Sequence, residues 1–321
     1  MSKVRQKILD LLREGQMKPS QLAEKLEVSR QALHKNLVKL VEEGLLKKHG
    51  KAPHVFYSLR RSGEGRIHES FELFKTELLP KFLKRNLIRK SSLKKLLAAT
   101  TKLDFKFMID VAAVYSSKIE GNTLNLNSFL NSREMAKSLR PKEAAEIEDL
   151  VKAYEMIRKN VLNEKNVLRA HAMLSKNFVS KARQGVYRKE PIGVFSSRGM
   201  EYLAVEPDYV ASEMKALFKY VAKLLRQEMK VSDALFWAAW LHLMIALIHP
   251  FSDGNGRVAR LCEKWFLCAK LGTEILSLPS EQRYSESRME YYSALKLGVN
   301  YWEVDFGKAG GFLEMLPKSL V

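Results

Sequence analysis

Residues 234–248 form a run of fifteen side chains in which only His242 is polar. A helix this apolar has no face for water and reads as one buried on every side. At fifteen residues the run falls short of the roughly 20 needed to cross a bilayer, so no membrane partner is expected. Burying it takes a shell of other helices, which makes the surrounding domain sizeable and mainly helical. The 321-residue length leaves room for one more domain beside it. The run stops at His249-Pro250. Proline disfavours helical backbone in the residue before it, so the imidazole of His249 is expected on a loop.

The next residues carry the chemistry. From His249 to Arg260 the chain reads His-Pro-Phe-Ser-Asp-Gly-Asn-Gly-Arg-Val-Ala-Arg. A new amphipathic helix follows, with Val258, Leu261, Cys262, Trp265 and Phe266 on its apolar face. Glycines flanking Asn255 at a helix N-terminus let backbone N–H groups converge into an anion-binding nest, reinforced by the helix dipole. Arg257 and Arg260 lie three apart and share a face of the first turns. Two cations there oppose the dipole unless an anion is bound. Asp253 is a carboxylate suited to a hard divalent cation; it also suits the cap of the next helix, and the two roles are compatible. A base, a carboxylate, a nest and two clamps together equip a chain for nucleotide chemistry.

This motif resembles the signature of the Fic family of AMP transferases at every position. The resemblance extends over about residues 96–316 and implies a fold and a set of roles. His249 would be the general base toward a Ser, Thr or Tyr hydroxyl of a target protein. Asp253 would hold Mg²⁺ against the phosphates of ATP. Gly254, Asn255 and Gly256 would cradle the α-phosphate, and Arg257 and Arg260 would clamp the β- and γ-phosphates. Gly256 stands where the kinase branch of the superfamily has lysine, which favours nucleotide transfer.

Three further stretches bear on the same resemblance. Ser116-Ser-Lys-Ile-Glu120-Gly-Asn122 is similar to the family's inhibitory motif, on a helix expected around 110–122. Ser116 and Glu120 would then restrain Arg260, although Glu120 also reads as an ordinary exposed helix residue. Residues 184–207, rich in Gly and Pro, read as a hairpin and resemble the family's target-docking flap, with Pro191, Ile192, Gly193 and Val194 at its start. Tyr291 and Tyr292 resemble the helix lining the adenine pocket. The family's asparagine seven positions beyond the second tyrosine is Val299 here, with Asn300 next to it, so the donor base stays open between ATP and another nucleotide.

The N-terminal end has its own logic. The chain carries a formal charge of +19, and residues 1–100 hold 23 basic against 10 acidic groups. That asymmetry points to a polyanion partner. Helical spacing is expected from Val4 to Leu12, from Pro19 to Leu26, and from an N-cap at Ser29 through Leu33, Leu37, Leu40 and Val41. A basic turn and a short hairpin come next. Three helices and a hairpin resemble a winged helix-turn-helix. Ser29, Arg30, Gln31, His34 and Lys35 on the third helix and Lys51 in the wing would face DNA. A protein-docking or dimerisation module is the alternative.

The expected class is therefore mainly α: a winged helix-turn-helix over 1–60, a basic connecting helix over 61–95, and an all-helical Fic core with a small hairpin over 96–316. Cys262 and Cys268 are too few for a disulfide framework and read as core. His171 and His242 lie in apolar settings and read as satisfied buried histidines. The start of the chain lacks an apolar leader-like run, so a cytoplasmic setting is expected. A self-inhibited adenylyltransferase is the leading reading, with removal of AMP by the same site and a homodimer both open to it. A DNA-binding regulator whose nucleotide domain acts as a sensor is the alternative; an intact base at His249 speaks against it.

Overall fold

The computed structural model describes residues 3–13, 17–43, 45–49, 55–59, 65–85, 104–196 and 199–320. The chain divides into two compact units, Met1–Gly65 and Arg66–Val321.

The first unit holds helices α1 (Lys3–Arg13), α2 (Pro19–Leu26) and α3 (Arg30–Glu42), then strands β1 (Leu46–His49) and β2 (Phe56–Leu59). The strands pair antiparallel from Leu46↔Leu59 to His49↔Phe56. Met17 pairs with Tyr57 and adds a third short rung. Ile8, Leu12, Leu22, Leu33, Leu37, Leu40, Leu46 and Tyr57 form one apolar core. This is the winged helix-turn-helix arrangement that the leucine spacing predicts. Ser29 caps α3, its hydroxyl oxygen accepting the Ala32 N–H at 3.2 Å. Arg30, Gln31, His34 and Lys35 are exposed on the first turns of α3. Lys51 lies outside the described residues.

The second unit opens with α4 (Gly65–Leu73), a π-helical turn (Phe74–Leu78) and α5 (Leu79–Lys84). Pro80 explains the wide turn: a proline removes one donor and its ring crowds the preceding turn. The Leu79 N–H reaches back to the Phe74 carbonyl. The basic composition of residues 61–95 predicts a connecting helix. Instead Ile67, Phe71, Phe74, Leu78 and Phe82 are buried in the core of the second unit. Their apolar stripe persists through the basic surface residues, and burial of that stripe decides where the segment belongs.

The core continues with α6 (Phe105–Ile119), α7 (Leu126–Ser132), α8 (Lys142–Lys159) and α9 (Glu164–Leu174). A hairpin of β3 (Gly193–Ser196) and β4 (Gly199–Leu203) interrupts the helices. Next come α10 (Pro207–Leu225), α11 (Val231–Ile248), α12 (Asn255–Leu271), α13 (Ser280–Glu286), α14 (Arg288–Ala294) and α15 (Gly310–Lys318). The apolar run lies in α11, which extends three residues further toward its N-terminus than the run itself. By length and composition α11 also fits a membrane-crossing helix. Here it is the central core helix, packed by α12, α10, α15 and α5. Cys262 and Cys268 are buried on α12.

Candidate active site

α11 ends in an unusual conformation. His249 has φ 52° and ψ 60°, and among the described residues it and Glu27 are the two non-glycine residues with positive φ. A side chain in this left-handed region costs about 1–2 kcal/mol, so the surroundings must hold it there. The His249 N–H donates to the Ile245 carbonyl at 2.9 Å. Its Nδ1 lies 3.2 Å from the Ala246 carbonyl oxygen, an acceptor only. The proton is therefore on Nδ1, and Nε2 keeps the lone pair that a general base needs. Burial pushes the His249 pKa down; the Ala246 hydrogen bond opposes this and the Arg188 charge adds to it. The net shift is below the ordinary 6.5, so the ring is a neutral base at pH 7.

The loop after His249 is closed from inside. Asn255 is buried, and its side chain accepts the Phe251 N–H at 2.8 Å and donates to the Phe251 carbonyl at 2.9 Å. Its side-chain amide is thus committed to the loop, which leaves its main-chain N–H among the unpaired donors at the helix start. The Phe251 ring stacks on His171 at 3.8 Å. His171 Nδ1 accepts the Gly185 N–H at 2.9 Å, so its Nε2–H donates to the Asp253 carbonyl at 3.0 Å. Burial lowers the His171 pKa to about 4, and the ring stays neutral. The buried histidine expected from the sequence thus braces the loop against the start of the hairpin segment.

Gly254 precedes α12 at φ 83°, a conformation suited to glycine. Its N–H donates to Asp253 Oδ1 at 2.6 Å. The first N–H groups of α12 have no intrahelical partner and carry the positive end of the helix dipole. Arg257 lies over the Phe178 ring at 4.2 Å and donates to Glu146 at 3.2 Å. Its buried Nε has no hydrogen-bond partner. Among the described residues no group of three or more metal-binding side chains converges. Asp253 therefore offers a single carboxylate, which matches a Mg²⁺ whose other ligands are phosphate and water.

Arg260 is fully buried and fully engaged. Its Nε donates to Ser116 Oγ at 2.8 Å, its Nη2 to the Ser116 carbonyl at 3.0 Å and to Glu120 Oε1 at 2.7 Å. Its Nη1 donates to the Tyr291 hydroxyl at 3.2 Å. Glu120 stands one residue past α6, which stops at Ile119, short of the end of the helix expected around 110–122, and Gly121 takes φ 96°. Burial raises the Glu120 pKa, but Arg260 outweighs it, helped by Arg257 and His249, and the net shift is downward. A Cβ on Gly256 would stand 2.3 Å from Glu120 Oε1. Glycine at this position lets the carboxylate approach the first turn of α12. Arg133 anchors the other end of α6, bonding Asp110 at 2.6 Å and Glu148 at 3.0 Å.

One expected contact needs correction. Tyr291 is buried, and its hydroxyl bridges Arg260 and His242 Nε2, the latter at 2.9 Å. His242 Nδ1 in turn meets Glu263 at 2.7 Å. Tyr291 supports Arg260 from behind and offers no face to an adenine. Tyr292 is 38% exposed and lies beside Arg288, and its hydroxyl donates to the Ile119 carbonyl at 3.0 Å. Asn300 does not stand in for the missing pocket asparagine. Its side chain accepts the Trp302 and Glu303 N–H groups and caps a short turn.

The hairpin has the expected form. β3 and β4 pair from Gly193↔Leu203 and Val194↔Tyr202, and the Ile192 carbonyl accepts the Ala204 N–H. Pro191 precedes the strand, exposed. The outer side of β4 is engaged by Val299, whose carbonyl accepts the Leu203 N–H at 2.9 Å. Sequence reasoning gave no role to Glu146, Phe178 or Glu263. Each lies far from the motif in the chain or on the hidden side of α12, and no local spacing marks it.

Comparison with known proteins places both units. Residues 161–267 match the model of the Fic/DOC family, and residues 1–49 match a helix-turn-helix domain. The chain is 27% identical over 184 residues to protein adenylyltransferase fic-1 of Caenorhabditis elegans, covering 55% of this chain and 34% of that protein. It is 33% identical over 111 residues to a probable protein adenylyltransferase of Aquifex aeolicus, covering 34% of this chain and 31% of the relative. The chain thus spans about a third of the length of these relatives. In fold it resembles a Fic family protein from Desulfovibrio desulfuricans, with a TM-score of 0.57 at 22% identity, over 80% of this chain and 72% of that one. A Fic domain containing signaling protein from Bacteroides thetaiotaomicron gives 0.52 at 19%, over 81% and 94%. The chain thus carries a Fic/DOC domain and, nearer its N-terminal end, a helix-turn-helix domain.

Proposed function

We propose that this protein is a self-inhibited adenylyltransferase that moves AMP from ATP to a hydroxyl side chain of a protein. The observation that carries the reading is a buried, neutral imidazole held beside the N-terminus of α12. His249 keeps Nε2 free, and the nearby start of α12 holds an unpartnered, buried Arg257 Nε. The relatives' designation as protein adenylyltransferases supports the class of reaction.

In the proposed step the target hydroxyl oxygen attacks the α-phosphorus of ATP. A new O–P bond forms, the bond from Pα to the bridging oxygen breaks, and pyrophosphate leaves. His249 Nε2 takes the hydroxyl proton as the oxygen becomes nucleophilic. The N–H groups at the start of α12 receive the charge that builds on the α-phosphate, with the helix dipole behind them. Arg257 reaches the outer phosphates, and so does Arg260 once it is released from Glu120. Asp253 would hold a Mg²⁺, which when bound neutralises phosphate charge. Among the described residues no strand pairs with the other edge of β3, which supports docking of a target segment there as an added strand.

The first unit suits DNA. Arg30, Gln31, His34 and Lys35 are presented together on α3, and a helix in this position of the motif enters a major groove. Ser29 contributes its cap and leaves base contacts to its neighbours.

The test is transfer of label. With Glu120→Gly protein and Mg²⁺, ATP labelled on the α-phosphorus is expected to label protein, and ATP labelled on the γ-phosphorus is not. Labelling from the γ-position would make the protein a kinase and refute the reading.

A further inference from the structure

The last turn of α11 leaves its final carbonyls without helical partners. Two hairpin residues satisfy them. The Tyr202 hydroxyl, from β4, donates to the Leu247 carbonyl at 2.8 Å. Arg188, from the segment entering the hairpin, donates Nε to the His249 carbonyl at 2.7 Å and Nη2 to the Ile248 carbonyl at 3.3 Å. Its main-chain N–H donates to the Pro250 carbonyl at 2.9 Å. The same guanidinium donates Nη1 to the Glu190 carbonyl at 2.9 Å, and Nη2 also to the Val205 carbonyl. Glu190 lies just before the hairpin and Val205 just after it.

Arg188 is 4% exposed, and every acceptor of its side chain is a main-chain oxygen. Burying a cation this deeply is costly, and a methionine of similar length would fill the space more cheaply. What only the planar fork supplies is simultaneous bonding to carbonyls in two segments. Those segments are the turn that holds His249 at positive φ and the two feet of the hairpin.

We infer that Arg188, assisted by Tyr202, is the positioning residue of the active site: it holds the catalytic turn in its left-handed conformation and fixes the hairpin to it at one point. The inference rests on the function proposed above, because the distance it fixes is that between a hairpin-bound target hydroxyl and the base. Proton transfer needs these atoms within hydrogen-bond reach. A misplacement near 1 Å costs about 100-fold in rate. The phosphate-binding start of α12 is held separately, by Asn255 and His171, so nucleotide affinity does not depend on Arg188.

The experiment uses the full-length protein. In a Glu120→Gly background, Arg188→Gln is expected to lower kcat about 100-fold, and Tyr202→Phe about fivefold, as suits removal of one hydrogen bond. KM for ATP and the calorimetric affinity for ATP should stay within about twofold of the parent. Parental kcat in folded Arg188→Gln would overturn the inference, and so would loss of ATP affinity in step with kcat. If Arg188→Gln does not fold, Arg188→Lys and Tyr202→Phe decide by the same criteria. A readout free of activity is the ring ¹H–¹⁵N correlation spectrum of otherwise wild-type, histidine-labelled protein. Arg188→Gln should move the His249 signals and leave those of His242 in place; unmoved His249 signals would overturn the inference. Absence of transfer in the Glu120→Gly parent would count against the function alone.

Discussion

Removing the Glu120 carboxylate should raise transfer activity by one to two orders of magnitude. Arg260 is fully buried, the Glu120 side chain is 30% exposed, and one short bond of 2.7 Å joins them. A hydrogen bond between charged groups of this kind is worth about 1.5–3 kcal/mol, and a nucleotide phosphate that needs Arg260 must first displace it. At about 1.4 kcal/mol per factor of ten, Glu120→Gly should accelerate transfer about 10- to 100-fold at subsaturating ATP. Arg260 itself should stay in place, because Ser116 and Tyr291 still accept from all three of its side-chain nitrogens. The assay is the initial rate of self-labelling by α-labelled ATP, with wild type and Ser116→Ala alongside. A Glu120→Gly rate within twofold of wild type would refute the view of this pair as a brake. Acid should not imitate the substitution at mildly low pH. The folded-state pKa of Glu120 is depressed, so its bond to Arg260 is present above the ordinary 4.5 and disappears only as pH falls through the lower folded value. Wild type should therefore show no release of activity between pH 7 and pH 5.

Other outcomes follow from the same geometry. His249→Ala in the Glu120→Gly background should abolish transfer and leave the calorimetric affinity for ATP within about threefold, since the imidazole is assigned no bond to phosphate. Gly256→Ala should drive the Glu120 carboxylate off its present position, because the added Cβ would lie 2.3 Å from it. It should cost about 1 kcal/mol in thermal unfolding, and less when combined with Glu120→Gly; equal costs in both backgrounds would disprove the close approach. His171 binds its proton at about 4 when folded and near 6.5 when unfolded, so the unfolded chain takes up a proton first as pH falls. That difference removes up to about 3 kcal/mol of stability between pH 6.5 and 4, and His171→Phe should flatten the acid limb of the melting curve by a comparable amount. In the first unit, Arg30→Ala or Lys35→Ala should weaken duplex binding across sequences and make the salt dependence shallower, the slope falling by about one for each phosphate no longer neutralised.

Local spacing made part of this molecule legible in its sequence. The run at 234–248 demanded a buried helix, and the leucines at 33, 37 and 40 marked the face of α3 that is buried. The unlike residue types between His249 and Arg260 made the candidate site legible, because several chemical types stand together within a few turns of chain. What stayed hidden was set by packing between distant segments. Tyr291 looked like a pocket tyrosine, but His242 and Arg260 meet its hydroxyl from two helices and bury it. Residues 61–95 looked like a connector because of their excess of basic groups, while five apolar side chains, Ile67, Phe71, Phe74, Leu78 and Phe82, decide the packing of the described part. Arg188 was visible only as part of a hairpin resemblance. Its acceptors are carbonyls, which no side-chain pattern records.

The most direct test of the central claim is the intact mass of full-length Glu120→Gly protein after incubation with Mg²⁺ and ATP, beside the same protein carrying His249→Ala. The expected result is a species heavier by one AMP in the first sample and none in the second. A species heavier by one phosphate, or an AMP adduct that persists without His249, would contradict it.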